Sequence, residues 1–258
     1  METPIHVTYI GGPTVILEIA GLRIITDPTL DPPGVFPAGP NDSIKKLTGP
    51  ATNDIGHIDL VLLSHDQHAD NLDKMGRELI GQVKQTFSTI GAAERLQGAV
   101  TGLAPWESFT LITPTGETLT ITATPARHGP INVEKFAGEV IGFVLSVAGI
   151  DPFEIYLTGD TVFYEGVKEV AKRFNPKYVF IFAGAAKPPI SINLTMDTND
   201  AIDTAFTFPG ATIIPVHYEG WSHYSETGEM ILQSFTAFGI NDRLSILEAG
   251  KRTLLPVS

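Results

Sequence analysis

The chain has seven histidines and no cysteine, and where four of those histidines fall is its first chemical signal. His65 and His68 follow the apolar run 58–63, His128 follows residues 121–125, and His217 follows residues 213–216. Two carboxylates share that placement: Asp70, two residues past His68, and Asp160, just after Leu157-Thr158. Without thiolates, a disulfide framework and a cysteine nucleophile are excluded, and metal chemistry is left to nitrogen and oxygen donors. Neutral imidazoles and ionised carboxylates at about 2.0–2.2 Å suit zinc or a harder divalent ion. His65, His68, Asp70, His128, Asp160 and His217 therefore form a candidate site for one or two divalent ions, zinc first and manganese second. Two ions about 3.5–4 Å apart need a bridging group, and Asp160 is the candidate. Each donor also has a structural alternative. Asp70 or Asn71 could cap the helix that follows, Asp160 could end a strand or cap a helix, and His128 could be an ordinary loop histidine. The joint occurrence of six donors at four strand ends is what favours metal over those alternatives.

Rigid strands must hold such donors, because ligand loops at strand carboxyl ends are where sheets fix residues distant in sequence. Residues 6–10, 14–19 and 22–26 alternate apolar runs with Gly and Pro turn signals and read as a β-meander. The Pro/Gly-rich stretch 31–50 reads as a long surface loop, and 58–63 as a strand buried on both faces. Helical spacing follows over 72–80 and over 90–97, the latter stopped by Gly98, and strands recur at 108–112, 118–123 and 140–147. Strand 155–157, helix 164–174, strand 178–182, helix 199–207 and strand 212–216 come next, then a helix over 226–238 and a hairpin around Gly250. No repeat or linker divides this order, so residues 1–258 read as one domain with two sheets flanked by helices.

The formal charge of −12 works against binding a long polyanion, so nucleic acid is not an expected partner. A mean hydropathy of +0.12 supplies material for a buried core, while no apolar run approaches the roughly 18 residues that span a bilayer. The opening Met1-Glu2-Thr3-Pro4 carries no basic and apolar leader. The expectation is a cytoplasmic protein acting on a small molecule, with no membrane partner and with homo-oligomerisation left open.

The ordered set of Thr8 to Thr14, Thr26-Asp27-Pro28, Ser64 to Asp73, His128, Thr158-Gly159-Asp160-Thr161 and Pro215-Val216-His217-Tyr218 resembles the metallo-β-lactamase superfamily nearly end to end. Within it, the resemblance is to small stand-alone hydrolases of the ascorbate-6-phosphate lactonase type. The resemblance implies an α/β fold, an αββα four-layer sandwich of two mixed sheets, with one or two metals at one edge. The family's first motif, H-x-H-x-D-H, is altered here. If His65 takes the first place, Gln67 replaces the second histidine and one residue is inserted; if Asp66 takes it, two histidines are replaced. Both registers keep His68 and Asp70, and both put Asn71 where the last histidine belongs. By the resemblance His128 and His217 are ligands and Asp160 the bridge, while Asp70 binds the second metal and orients the attacking water. Asp27 reads as a buried structural carboxylate, and Tyr218 and His223, beyond the last ligand, as substrate contacts, with the segment 187–197 shaping the pocket.

The resulting expectation is a metal-dependent hydrolase using a metal-bound hydroxide on a small ester, lactone or amide, a lactonase first. The alternatives are a small-molecule phosphodiesterase on the same fold and a degenerate, non-catalytic member weakened at Gln67 and Asn71. No G-x-S-x-G elbow supports a serine hydrolase.

Overall fold

The computed structural model describes residues 4–39, 41–149, 151–187 and 191–256. The first three residues of the opening, residue 40 in the 31–50 stretch and residues 188–190 of the expected pocket segment lie outside them.

Strands β1 (Ile5–Gly11), β2 (Thr14–Ile19) and β3 (Leu22–Thr26) form the antiparallel meander read from the sequence. The stretch read as a surface loop instead contains an antiparallel hairpin, β4 (Gly34–Pro37) with β5 (Ser43–Lys46). Its residues are mostly exposed, so the apolar alternation that marks a half-buried strand is missing. Strand β6 (Leu60–Leu62) then pairs parallel to β3, followed by helix α1 (Lys74–Ile80), β7 (Gln85–Ser88), α2 (Ile90–Leu96) and β8 (Val100–Gly102). Strands β7 and β8 extend the sheet in parallel.

The second sheet is built from β9 (Ser108–Ile112), β10 (Thr118–Pro125), β11 (Ile141–Ala148), β12 (Phe153–Leu157), β13 (Tyr178–Phe182) and β14 (Thr212–Val216). Helices α3 (Glu134–Ala137), α4 (Glu165–Arg173) and α5 (Thr198–Thr207) interrupt this series, and α6 (Gly228–Ala237) follows it. The chain's last strand, β15 (Arg252–Leu255), is not half of a local hairpin at Gly250. It crosses to the first sheet and pairs antiparallel with β1, giving the order β15-β1-β2-β3-β6-β7-β8.

Burial explains why the sheets stack. Val7, Leu17, Ile24 and Leu62 of the first sheet share one buried cluster with Leu119, Ile121, Phe143 and Leu145 of the second. The opposite face of the first sheet, Ile16, Ile25 and Val61, packs with Leu72 and Ile80 at α1. On the outer side of the second sheet, Val167 and Val170 of α4, Ile202 of α5 and Ile231 and Phe235 of α6 complete the larger cluster. The result is two mixed sheets covered by helices, an αββα sandwich.

Directionality then fixes where chemistry can occur. Strand β10 runs antiparallel to β11, which runs antiparallel to β12, while β12, β13 and β14 are parallel. The carboxyl ends of β10, β12 and β14 therefore emerge on one rim. The first sheet meets that rim where Ile141 N, at the start of β11, donates to Ser64 O, just past β6.

Helix α1 is tied to the same rim by its cap. Asp73 accepts from Gly76 N at 2.9 Å with one oxygen; with the other it accepts from Asp31 N at 2.7 Å and from the buried Lys46 Nζ at 3.3 Å. A Cβ on Gly76 would lie 1.9 Å from Pro28 O, so no side chain fits there without moving α1. Gly76→Ala is expected to destabilise the fold by about 1–3 kcal/mol, the usual cost of overpacking. Thermal unfolding checks this, and an unchanged Tm would mean that α1 does not dock on Pro28.

Candidate metal centre

Two groups of donors meet at the rim. His65, His68, His128 and Asp160 form one and Asp70, Asp160 and His217 the other, the donor atoms within each lying within 4.8 Å of one another. Asp160 belongs to both. Its Oδ2 lies 3.5 Å from His128 Nε2 and its Oδ1 lies 3.6 Å from His217 Nε2, so the two carboxylate oxygens face different groups.

The first group shows how the altered motif is accommodated. His65 Nε2 and His128 Nε2 lie 3.0 and 3.1 Å from His68 Nδ1. His68 thus stands beside His65 as the second histidine, with one extra residue between them. Asp66 is turned away into an ion pair with Arg95, and the exposed Gln67 lies against Gly138. The register beginning at Asp66 does not form, and Gln67 costs the group no donor.

Neighbouring atoms set the tautomers. Leu194 O can only accept, so the 2.9 Å contact puts a proton on His128 Nδ1 and leaves the Nε2 lone pair facing His68. The Ser64 hydroxyl donates to Asp27 Oδ1 at 2.6 Å, which leaves its oxygen to accept from His65 Nδ1 at 2.9 Å. Asp27 also accepts from Ser64 N, and it acts as a structural anchor for this relay. Burial, with the neighbouring imidazoles adding to it, holds His65 well below the ordinary histidine range. Burial likewise brings His68 and His128 down to about 4. All three rings are thus neutral near pH 7 and able to ligate.

Tetrahedral bonds of about 2.0–2.1 Å put ligand nitrogens about 3.3 Å apart, which the observed nitrogen spacings approach. These residues fit a divalent ion. The second group gives the same indication: His217 is fully buried, its Nε2 lies 3.2 Å from Asp70 Oδ2, and neither ring nitrogen makes a hydrogen bond. Burial also pushes the Asp160 carboxyl above its ordinary range. Two buried carboxylates facing an imidazole without hydrogen bonds are an arrangement that a cation would stabilise.

The loops that carry these residues are conformationally specialised. His217 sits at φ 58°, in the left-handed region that is costly for a side-chain-bearing residue. Its N–H donates to Gly12 O at 2.7 Å, and its carbonyl lies where a Cβ on Gly184 would be, 2.1 Å away. Arg127 N donates to Thr161 Oγ1 and Val162 N to Arg127 O, which locks the His128 loop to the Asp160 loop. Neither Asp70 nor Asn71 caps α1, since Asp73 does, and Asp160 caps no helix, since α4 begins after Tyr164.

Asp70 is held from the far side of the cleft. His223 Nε2 lies 2.8 Å and Tyr224 Oη 3.3 Å from its Oδ2. Burial opposes its ionisation, yet His223 and His217 outweigh burial and keep its pKa well below the ordinary range. Tyr218 is not brought to this cluster: its ring stacks on Tyr9 at 6.2 Å and lies against Gly228. Tyr224 was missed in the sequence; the only available signal was its place in the aromatic run Tyr218-Glu219-Gly220-Trp221-Ser222-His223-Tyr224. A cavity of about 500 Å³ lies nearby, but of the clustered residues only His128 lines it.

Comparison with known proteins agrees with this geometry. Residues 22–218 match the family described as the beta-lactamase superfamily domain. A UPF0173 protein of Bacillus subtilis is 22% identical over 256 residues, covering 95% of this chain and 98% of that one. A UPF0173 metal-dependent hydrolase of Carboxydothermus hydrogenoformans is 26% identical over 231 residues, covering 83% and 85%. Among solved structures, the isothiocyanate hydrolase from Delia radicum gut bacteria superimposes with a TM-score of 0.82 at 23% identity, covering 98% of this chain and all of that one. A metallo hydrolase from the archaeon Ignicoccus hospitalis superimposes with a TM-score of 0.70 at 19% identity, covering 98% and 99%. With the αββα sandwich and its rim of histidines and aspartates, the family match over most of the chain shows that this protein belongs to the metallo-β-lactamase superfamily.

Proposed function

We propose that the protein is a metal-dependent hydrolase of small, electrophilic substrates, with esters, lactones and amides the first classes to consider. The observation that carries this reading is the division of the Asp160 carboxylate between two donor groups. In it His65, His68, His128 and Asp160 would hold one ion, and Asp70, Asp160 and His217 would belong to a second position. A divalent ion there, zinc or manganese, would supply a Lewis acid and lower the pKa of water.

The chain's own residues do the rest. Asp70, fixed by the His223 ring and the Tyr224 hydroxyl on one oxygen, orients a water by accepting a hydrogen bond from it. Ser64 and the Leu194 carbonyl keep the protons of His65 and His128 on Nδ1, so both rings present lone pairs at Nε2. The substrate preference rests on the resemblance to the lactonase type. The name of the isothiocyanate hydrolase adds a further class to test, because an isothiocyanate also presents an electrophilic carbon to water. A small phosphodiester belongs in the same panel. The non-catalytic alternative loses the support of Gln67, which lies outside the donor groups, and keeps only Asn71.

Elemental analysis of purified protein after incubation with zinc or manganese is the first test. Bound metal should fall sharply in His128→Ala and Asp160→Ala, with hydrolysis of the responsive substrate in the panel reduced by more than the ~10–100-fold typical of outer-shell changes. Wild-type protein that takes up neither ion would refute the reading. Ser64→Ala separates support from ligation: metal affinity should drop by about 10–100-fold while the fold survives. Isothermal titration with zinc measures it, and an affinity equal to wild type would remove Ser64 from the site's support.

A further inference from the structure

The second donor group has room for a further protein ligand. Asp70, Asp160 and His217 supply three donors, one fewer than a closed tetrahedral set and enough for an open one that keeps a water. The residue standing at the family's histidine position is Asn71, and its orientation disqualifies it as a nitrogen donor. Its Nδ2 donates a hydrogen bond to Asp160 Oδ1 at 3.0 Å, so its proton-bearing end points at the carboxylate that the ion would share. Asn71 therefore positions Asp160 through Nδ2 and can offer only its buried, unpartnered Oδ1, a weak neutral oxygen, where an imidazole would stand.

That place has a candidate on the opposite loop. We propose that His223, six residues beyond His217, supplies the missing imidazole of the second metal position. The inference rests on the metal-dependent reading above. His223 Nε2 donates to Asp70 Oδ2 at 2.8 Å while its Nδ1 has no partner, so moving the ring proton to Nδ1 would free the Nε2 lone pair near His217 Nε2, which approaches the same oxygen at 3.2 Å. Two further observations suit a ligand role. His217 is wholly buried, its Nε2 faces Asp70 at 3.2 Å and Asp160 at 3.6 Å, and neither of its nitrogens makes a hydrogen bond, which are the surroundings of a ligand imidazole. The Tyr224 ring lies 4.3 Å from the His217 ring and 4.6 Å from the His223 ring, and this fixes the spacing of both imidazoles.

The backbone around His223 is held as firmly as that of a ligand loop. Lys187 N donates to His223 O, and Ser222 N donates to Lys45 O on the β4–β5 hairpin. Trp221 packs against Phe36 of the same hairpin at 5.2 Å. The second position would then draw both of its imidazoles from the loop after β14, with Asn71 of the loop after β6 holding Asp160.

The seven histidines make the test countable. In protein labelled with ¹⁵N-histidine, zinc titration should perturb three rings at the first equivalent, those of His65, His68 and His128. Two more, His217 and His223, should respond at the second, while His6 and His57 stay unchanged. His223→Ala should retain the first equivalent and lose the second, with far-UV circular dichroism reporting that the fold is kept. Loss of fold in that variant leaves the wild-type ring count as the deciding measurement. If only His217 responds to a second equivalent, or the variant still binds two ions, His223 is not a ligand and the hydrolase reading stands. A wild-type protein that binds a single equivalent with the His223 ring unmoved would also overturn the inference alone. Absence of any ring response to zinc, with no metal retained, would overturn both.

Discussion

The arrangement at the rim follows from burying one carboxylate, Asp160, with donors on either side of it. A carboxylate removed from water is costly unless positive charge or hydrogen-bond donors face it. Here the compensation is shared between the Asn71 amide on Oδ1 and the His217 ring beyond it. Those two residues come from the loops after β6 and β14, and the requirement is met only when both sheets are stacked. Ile141 N bonding to Ser64 O, and His217 N bonding to Gly12 O, are two points at which one sheet is pinned to the other. The β1–β2 turn contributes to the site through its backbone even though it carries none of the clustered donors.

A second layer of support comes from elements with no donor of their own. The β4–β5 hairpin holds the loop after β14 through Leu47 N to Gly220 O, Ser222 N to Lys45 O and the tilted ring contact of Phe36 with Trp221. Lys46, buried beneath Trp221, joins the hairpin to the capping carboxylate of α1 and to Thr29 O. Asp66, one residue from His65, is anchored by Arg95 of α2. The loop bearing His65, His68 and Asp70 is thereby held between two helices, and the loop bearing His217 and His223 beneath a hairpin.

Much of this was legible in the sequence because the signals were local. An apolar run followed by His, Asp or Gly-Asp places a polar group at a strand end, and β6, β10, β12 and β14 all carry that pattern. Parts that depend on distant partners were not legible. Strands β7 and β8 are short, and in Gln85-Thr86-Phe87-Ser88 only one residue is large and apolar, so their place comes from pairing in parallel beyond β6. Strand β15 is defined by β1, more than two hundred residues earlier. The register of the first motif was undecidable in one dimension, because Asp66 and Gln67 are chemically able to stand where His65 and His68 stand. Arg95, 29 residues onward, decides against Asp66. Tyr224 carries no spacing signal, since its relation to Asp70 exists only across the cleft.

The donors run from His65 to His217 and come from four separate loops, so no short segment of the chain can assemble the site by itself. An ion that binds there discriminates between native and unfolded chains almost completely, and thermodynamic linkage then makes the folding equilibrium depend on the free concentration of that ion. At a hundredfold excess over its dissociation constant the native state gains about 2.7 kcal/mol, a sizeable share of the roughly 5–15 kcal/mol that holds a typical domain folded. The same rim that organises the chemistry would make the protein's lifetime in the folded state a gauge of metal supply.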